Sequence, residues 1–600
     1  MDGKGETGDA AAGETDFYTR RWKLWVLIIW IAAAALLIFD RWDSIRWFAL
    51  GDTDDNLRMM QVRGLLAGQD WFDLRQYRLD PPAGANVHWS RVVDLPIAGL
   101  ILVLKPLLGG RIAEQVAVAV APLLPVAVAM TAMAVTARRL ISPKAFALGV
   151  ALLLCAHSAR GMWSPTRIDH HGWQLAMLGL VVVALANRRH ARGGLLMGAA
   201  SALSLAIGLE MLLYLAAAGA IVALLWIRDQ RQAPRLAAYG ASLAGGSALG
   251  YLLFTSYANR APVCDALSPV WLSAMVAAGA AAVTLTRVPL RTRLARFGGA
   301  ALAGALLAAG FALAWPHCLT RLEGVSPELQ AMWLDNVREA LPIYRHNLQT
   351  IAAVVSLPIA GLIGYAVTLW RLRREHGELA RWGSVALLAL IAAALLLWQS
   401  RAGPAAQLLA VPGAAALAWL IIPAIRKRTN MLVRVLGTVA AFALISGIAP
   451  QYATRLFVEP KSKTMKAVSS ANGKCPTLYA LRPIAKQPKG YVLTFVDLGP
   501  RLIAVTHHDA VAGPYHRNQA AILDVMRTFR GSADNARATV ARRGIDYVLI
   551  CPGLSESTIY RARAPRGFYV QLAKGQVPEW LAPVALPKDS PYRMWRVVRR

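Results

Sequence analysis

The sequence predicts a polytopic α-helical membrane protein that ends in a smaller α/β domain, and three observations carry this prediction. Of 600 residues, 56% are hydrophobic and only 16% are charged, with a mean hydropathy of +0.42. The apolar residues fall in runs near the length that crosses a bilayer, about 20 residues. Beyond residue 450 these runs stop, and short β-type segments alternate with helical ones. The composition excludes a water-soluble array of domains. The 65 Lys+Arg against 34 Asp+Glu leave a net charge of +31, and the placement of those charges decides between nucleic acid and membrane topology.

Residues 1–21 are polar, acidic at the start and Gly/Ala-rich, without the basic start and small-residue cleavage site of a signal peptide, and read as a disordered cytoplasmic tail. The first span covers 22–39, preceded by Arg20, Arg21 and Lys23. Further spans are expected near 112–136, 145–157, 173–187, 194–208, 211–227, 236–256, 269–286, 297–315, 348–370, 383–398, 404–424 and 431–449. One set of connecting loops is short and basic, including Arg138, Arg139 and Lys144, then Arg188, Arg189 and Arg192, and later Arg371, Arg373 and Arg381. The other set is longer and mixed in charge. The positive-inside rule puts the first set in the cytoplasm and the second outside. The apolar stretch 95–109 breaks this alternation if it spans. With Lys105 and the flanking Pro96 and Pro106 it reads as a helix lying along the outer surface. This leaves 13 spans across 22–449, with 450–600 outside, in the periplasm of a bacterial inner membrane. The positive excess is topology, and nucleic acid is excluded as a partner.

The polar chemistry sits in the outer loops. The first, 40–111, holds nine Asp against nine Arg/Lys, densest in Gly51-Asp52-Thr53-Asp54-Asp55-Asn56-Leu57-Arg58. Three carboxylates in four residues repel one another, and a divalent cation relieves them, although an isolated cluster of this kind also suits a solvated turn. Farther along, Tyr77 to Gly84 and His88-Trp89-Ser90-Arg91 offer aromatic and basic groups for sugar or phosphate contacts, or for anchoring at the membrane rim. The second outer loop, 158–172, contains Arg167-Ile168-Asp169-His170-His171, which mixes oxygen and imidazole donors. The fifth, 316–346, contains Asn336-Val337-Arg338-Glu339. Glu210 lies in a two-span hairpin with almost no loop, where a carboxylate is costly. Arg401 is the sole charge at its outer mouth, suited to a lipid phosphate or to headgroup anchoring.

In this order, the features resemble the oligosaccharyltransferase catalytic subunit, a GT-C glycosyltransferase of bacterial or archaeal type, over essentially the whole chain. Asp52, with Asn56 four and Arg58 six residues later, is similar to the family's first-loop motif, which implies a metal-binding, acceptor-activating carboxylate at Asp52. Arg167 to His171 resembles the archaeal second motif, which implies metal ligation by Asp169 and His171. Asn336 to Glu339 looks like the fifth-loop motif, which implies that Glu339 stands beside the acceptor, and Arg401 occupies the region of the phosphate-binding arginine. Where the family has Trp-Trp-Asp-x-Gly, the sequence has Phe495-Val496-Asp497-Leu498-Gly499, keeping the Asp and Gly but neither Trp.

The resemblance implies a polyprenyl-linked sugar donor, a periplasmic protein or glycan acceptor, Mn²⁺ or Mg²⁺ held by Asp52, Asp169 and His171, and proton removal from the acceptor by Asp52 or Asp54. The alternatives are a transferase using a lipid monophosphate sugar to modify lipid A or a polysaccharide, and a transporter or flippase of lipid-linked glycans. In the tail, strands are expected over 491–496, 502–505 and 547–550 and helices over 518–530 and 534–543. Tyr515, His516 and Arg517 are candidates, with Asp497, for contacting the acceptor. Cys264 and Cys318 in outer loops, with Cys475 and Cys551 in the tail, permit two disulfides, leaving Cys155 inside a span as a small apolar residue.

Overall fold

The computed structural model describes residues 17–320, 323–457 and 462–599. Of the tail expected over 1–21, residues 1–16 lie outside the described residues, and from Phe17 the chain is already helical. All thirteen apolar segments are helical. Among the described residues, eight helices are long and apolar enough to cross a membrane, and Met431–Ile445 with Ile448–Phe457, bent by 81°, makes a ninth when counted as one span. Pro143–Cys155, His171–Leu185 and Leu212–Arg228 are apolar but shorter. For one of them the shortness has a packing reason. Helix His171–Leu185 buries most of its residues against protein, so it need not present a full lipid-length face.

Stretch 95–109 forms helix Asp94–Leu108, followed by a reversal at Gly109, whose φ of 77° favours glycine. The chain then packs back as Gly110–Val120. Small residues let the long helices touch: a Cβ on Gly364 would meet the Gly413 carbonyl oxygen at 1.9 Å. Helices Leu348–Arg371 and Gly403–Arg426 therefore approach backbone to backbone.

The C-terminal domain is built on a five-stranded mixed sheet: β1 (Tyr491–Leu493), β2 (Asp509–Ala510), β3 (Tyr547–Ile550), β4 (Leu581–Pro583) and β5 (Arg593–Val597), in the order β2-β1-β3-β5-β4. Strands β2, β1 and β3 run parallel, while β5 lies antiparallel to β3 and β4. Helices Gln519–Arg530 and Ala533–Arg543 fall where expected. The expected strand 502–505 is instead the end of helix Gly499–Val505. Pro500 suits its first turn, and Leu502, Ile503 and Ala504 are buried on a helix wedged between the sheet and the first loop. So short an apolar run fits either element by pattern. Two disulfides form, Cys264–Cys318 and Cys475–Cys551, and Cys155 is free.

The first loop and the C-terminal domain share one hydrophobic core, which joins Leu57, Leu74, Leu79, Val87 and Trp89 to Val492, Phe495 and Ile503. Backbone bonds link Asp80 N to Ala510 O and Ala510 N to Arg78 O, both at 2.9 Å, so the loop continues the sheet edge beyond β2. Arg501, 3% exposed, donates to Phe48 O at 2.9 Å, Asn56 Oδ1 at 3.1 Å and Pro476 O at 2.8 Å. Burial lowers its pKa to about 10. We expect Arg501→Met to strand these acceptors at about 1–3 kcal/mol each, lowering the thermal midpoint in detergent and speeding proteolysis between the loop and the domain.

Candidate active site

Helix Thr53–Leu66 opens the acidic motif. Asp52, with extended φ and ψ of −149° and 176°, caps it by accepting from Thr53 N at 2.6 Å. One helical turn then carries Asp54 and Asp55 toward the second loop. There Arg167 reaches in, its guanidinium lying 2.9 Å from Asp52 Oδ2, 3.4 Å from Asp55 Oδ2 and 2.5 Å from Asp169 Oδ2. Asp55 is fully buried and also accepts from Asp169 N at 2.9 Å. Asp169 in turn accepts from His171 N at 2.6 Å.

This crowding moves the carboxyls in different directions. Burial, then the charges of Asp52 and Asp169, pushes Asp54 up to about 7, against the opposing pull of His171 and Arg167. Burial likewise holds Asp55 well above its ordinary value despite Arg167. For Asp169 burial also acts upward, but His171, Arg167 and His170 outweigh it and hold the carboxyl below the usual range. Behind this cluster His170 Nε2 pairs with Glu210 Oε1 at 2.9 Å, and Gln174 Nε2 donates to Glu210 Oε2 at 2.6 Å. Below it Arg58, stacked over Trp89 at 4.7 Å, pairs with the fully buried Asp94 at 2.8 Å.

A cavity of about 290 Å³ opens beside His171 and Glu210, walled by Leu175, Tyr214, Leu395 and Trp398, with Glu339 and Arg401 also among its lining residues. Arg401 lies 3.5 Å from Glu339 Oε1, both side chains largely open to solvent. Ser400 Oγ donates to the Glu339 carbonyl at 3.1 Å, tying the two loops together.

From the C-terminal domain Asp497 faces the cluster. Solvent reaches it, yet the protein packed around it strips enough water that, together with the Asp52 charge, its carboxyl rises to about 6. Buried Glu556 orients that turn, accepting from Val496 N at 3.0 Å and Asp497 N at 2.9 Å. The other three acceptor candidates are otherwise engaged. Tyr515 is 3% exposed and donates to Thr53 O at 3.2 Å, while His516 and Arg517 both hold Asp265 at 2.5 Å. Of the residues singled out from sequence, Asp52, Asp54, Asp169 and His171 converge, Glu339 and Arg401 share the adjoining cavity, and Asp497 lies near enough to feel the Asp52 charge. Arg167, Asp55 and His170 had no assigned role. The available clue was an excess of neighbouring carboxylates in want of a counter-charge.

Donor atoms of Asp169, His170 and His171 lie within 4.8 Å of one another. His171 Nδ1 is buried without a hydrogen-bond partner. Oxygen and imidazole donors with an unused nitrogen fit a divalent cation.

Burial, then the Asp497 charge, raises Glu556 to about 8. A carboxyl raised above its unfolded value holds its proton longer in the folded state, so wild-type stability falls as pH rises from about 4.5 to about 8. Glu556→Gln removes that dependence. Unfolding midpoints across this range will show the variant gaining on wild type as pH rises.

No protein-family model and no curated protein sequence matches the chain. Solved structures do. Archaeal oligosaccharyltransferase AglB from Archaeoglobus fulgidus, in complex with an inhibitory peptide and a dolichol-phosphate, superposes with a TM-score of 0.65 at 13% identity, covering 94% of this chain and 73% of that one. The same organism's oligosaccharyltransferase tethered to an acceptor peptide containing the NVT sequon gives a TM-score of 0.66 at 13% identity, covering 98% and 75%. Its complex with Zn and sulfate gives 0.58 at 13% identity, covering 88% and 67%. At such identities the likeness speaks for the fold alone: the chain shares the polytopic helical fold of these oligosaccharyltransferase structures.

Proposed function

We propose that this protein is a membrane glycosyltransferase that moves a sugar or oligosaccharide from a polyprenyl-phosphate-type lipid donor to a periplasmic protein or glycan, at the outer face of a bacterial inner membrane. One observation carries the reading: the carboxylate and imidazole cluster of Asp52, Asp54, Asp169 and His171 adjoins an apolar-walled cavity that also contains Arg401. An amphiphilic donor needs that combination of apolar wall, cation for phosphate and acid-base groups at the junction. The AglB structure that contains a dolichol-phosphate supports the donor class.

In this reading Asp52 or Asp54 takes the acceptor's proton as the new bond forms, and Arg401 offsets negative charge growing on the departing phosphate. Glu339, beside Arg401, orients the acceptor. Asp52, Asp169 and His171 would hold Mn²⁺ or Mg²⁺, and a bound divalent cation supplies Lewis-acid polarisation of the leaving phosphate. Arg167 keeps the carboxylates gathered. Asp497 extends the acidic wall toward the acceptor side, with Tyr515, His516 and Arg517 fixing the domain that carries it.

The acceptor class is narrowed by Phe495 and Val496, which stand where the resemblance places two tryptophans. Both are fully buried, Phe495 packing on Phe529, Tyr560 and Tyr569. Neither faces the cluster, which favours a glycan or lipid A acceptor over a peptide sequon.

Comparative mass spectrometry of glycoproteins, lipopolysaccharide and capsule from a deletion strain, complemented with wild type or variants, tests the reading. Asp52→Asn and Asp169→Asn are each expected to lower transfer roughly 100-fold or more with the protein still folded. Intact glycoconjugates combined with lost lipid-linked substrate translocation would establish a transporter instead. Arg401→Ala is expected to raise the donor KM about tenfold, with Arg401→Lys recovering part of it because the charge survives but the fork does not.

A further inference from the structure

A cavity of about 850 Å³ lies away from the acidic cluster. Helix His171–Leu185 starts at the cluster, and the residue after its end, Ala186, lines this second cavity about 22 Å along the helix axis. The space, about 850 Å³, is lined by Arg139, Arg188, Arg189, Arg192, Arg371 and Arg381. Glu378 supplies the sole carboxylate among the lining residues, and it is already shared by Arg188 at 2.8 Å and Arg381 at 2.7 Å.

Two of these arginines are braced by backbone. Arg139 donates to Val183 O at 2.7 Å, and Arg381 donates to Arg139 O at 2.8 Å and Ala186 O at 3.0 Å. Arg189, Arg192 and Arg371 have no carboxylate within 4.0 Å among the described residues. Trp382, Trp419 and Leu420 complete the wall.

Arg371 and Leu420 also line a second groove of about 410 Å³, which continues along Val367, Leu417, Ile421 and Ile425 between helices Leu348–Arg371 and Gly403–Arg426. A polar chamber rich in unpaired guanidinium groups therefore opens onto an apolar channel on the bundle surface. We propose that this pair of cavities binds a phospholipid of net negative headgroup charge, its phosphate among Arg189, Arg192 and Arg371 and its chain along the groove. Unpaired arginines packed in one chamber repel one another, and a phosphate neutralises them while accepting their forked hydrogen bonds. Basic pockets between spanning helices favour anionic headgroups for this reason. The site is independent of the proposed reaction.

The test uses the full chain in detergent with three probes: dioctanoyl phosphatidylglycerol, dioctanoyl phosphatidylcholine and inorganic phosphate. Each is read by thermal shift and native mass spectrometry. Phosphatidylglycerol is expected to bind and stabilise wild type, with roughly tenfold weaker binding in R192Q/R371Q, while phosphatidylcholine binds markedly less well. Ala424→Trp, which fills the groove, should weaken phosphatidylglycerol and spare inorganic phosphate, separating the tail contact from the head contact. Equal phosphatidylglycerol binding by wild type and R192Q/R371Q, or equal binding of the two lipids, would overturn the proposal. Inorganic phosphate binding as tightly as phosphatidylglycerol, with A424W indifferent, would overturn the lipid assignment in favour of a free phosphate site.

Discussion

Three carboxylates from two loops, held around one guanidinium, are the constraint on which the polar end of this molecule depends. Asp52 and Asp55 belong to the first loop, Asp169 to the second, and Arg167 touches all three. At an effective dielectric of about 20, like charges 4 Å apart repel by about 4 kcal/mol. Arg167 opposes that repulsion where the two loops meet. With it, the acidic groups stay close enough to act on one substrate, and Asp54 is left partly exposed at their edge with its carboxyl raised to about 7.

The rest of the architecture holds these loops in place. The first loop shares its core with the C-terminal domain, so the domain acts as the wall against which helix Thr53–Leu66 is set. Buried Arg501 and half-buried Arg78 reach from one unit to backbone acceptors of the other. Arg58 with Asp94 supports the helix from beneath. Glu210, costly at the mouth of two apolar helices, is stabilised by His170 and Gln174 and thereby positions the ring beside His171. Asp52, Asp55 and Asp169 share Arg167, whereas the arginines lining the second cavity outnumber their one carboxylate, Glu378.

Much of this was legible in the chain. Runs of 15 to 24 apolar residues place helices, because a helix satisfies its own backbone in lipid and the side-chain pattern only has to stay apolar. Asp52, Asp169 and Glu339 could be picked out because acids are rare in such a chain. Less legible was the segment Leu502 to Val505, where four apolar residues fit a strand or a helix and the packing between sheet and loop chose the helix. Tyr515, His516 and Arg517 looked available, but Thr53 and Asp265 take up their polar atoms. A motif displays chemical types and says nothing about which partner has claimed them.

The sequence by itself determined where the apolar helices fall and which acids are worth attention, since hydropathy and charge act locally along the chain. Tertiary structure alone decided that Arg167 would pair with a carboxylate 115 residues away and that Asp497 would come near enough to feel the Asp52 charge. It also decided that the loop arginines at the far end would converge on one chamber. Electrostatic and hydrogen-bond partners are chosen by distance in space, which falls steeply from useful to negligible within a few ångströms, and no spacing along the sequence encodes that distance.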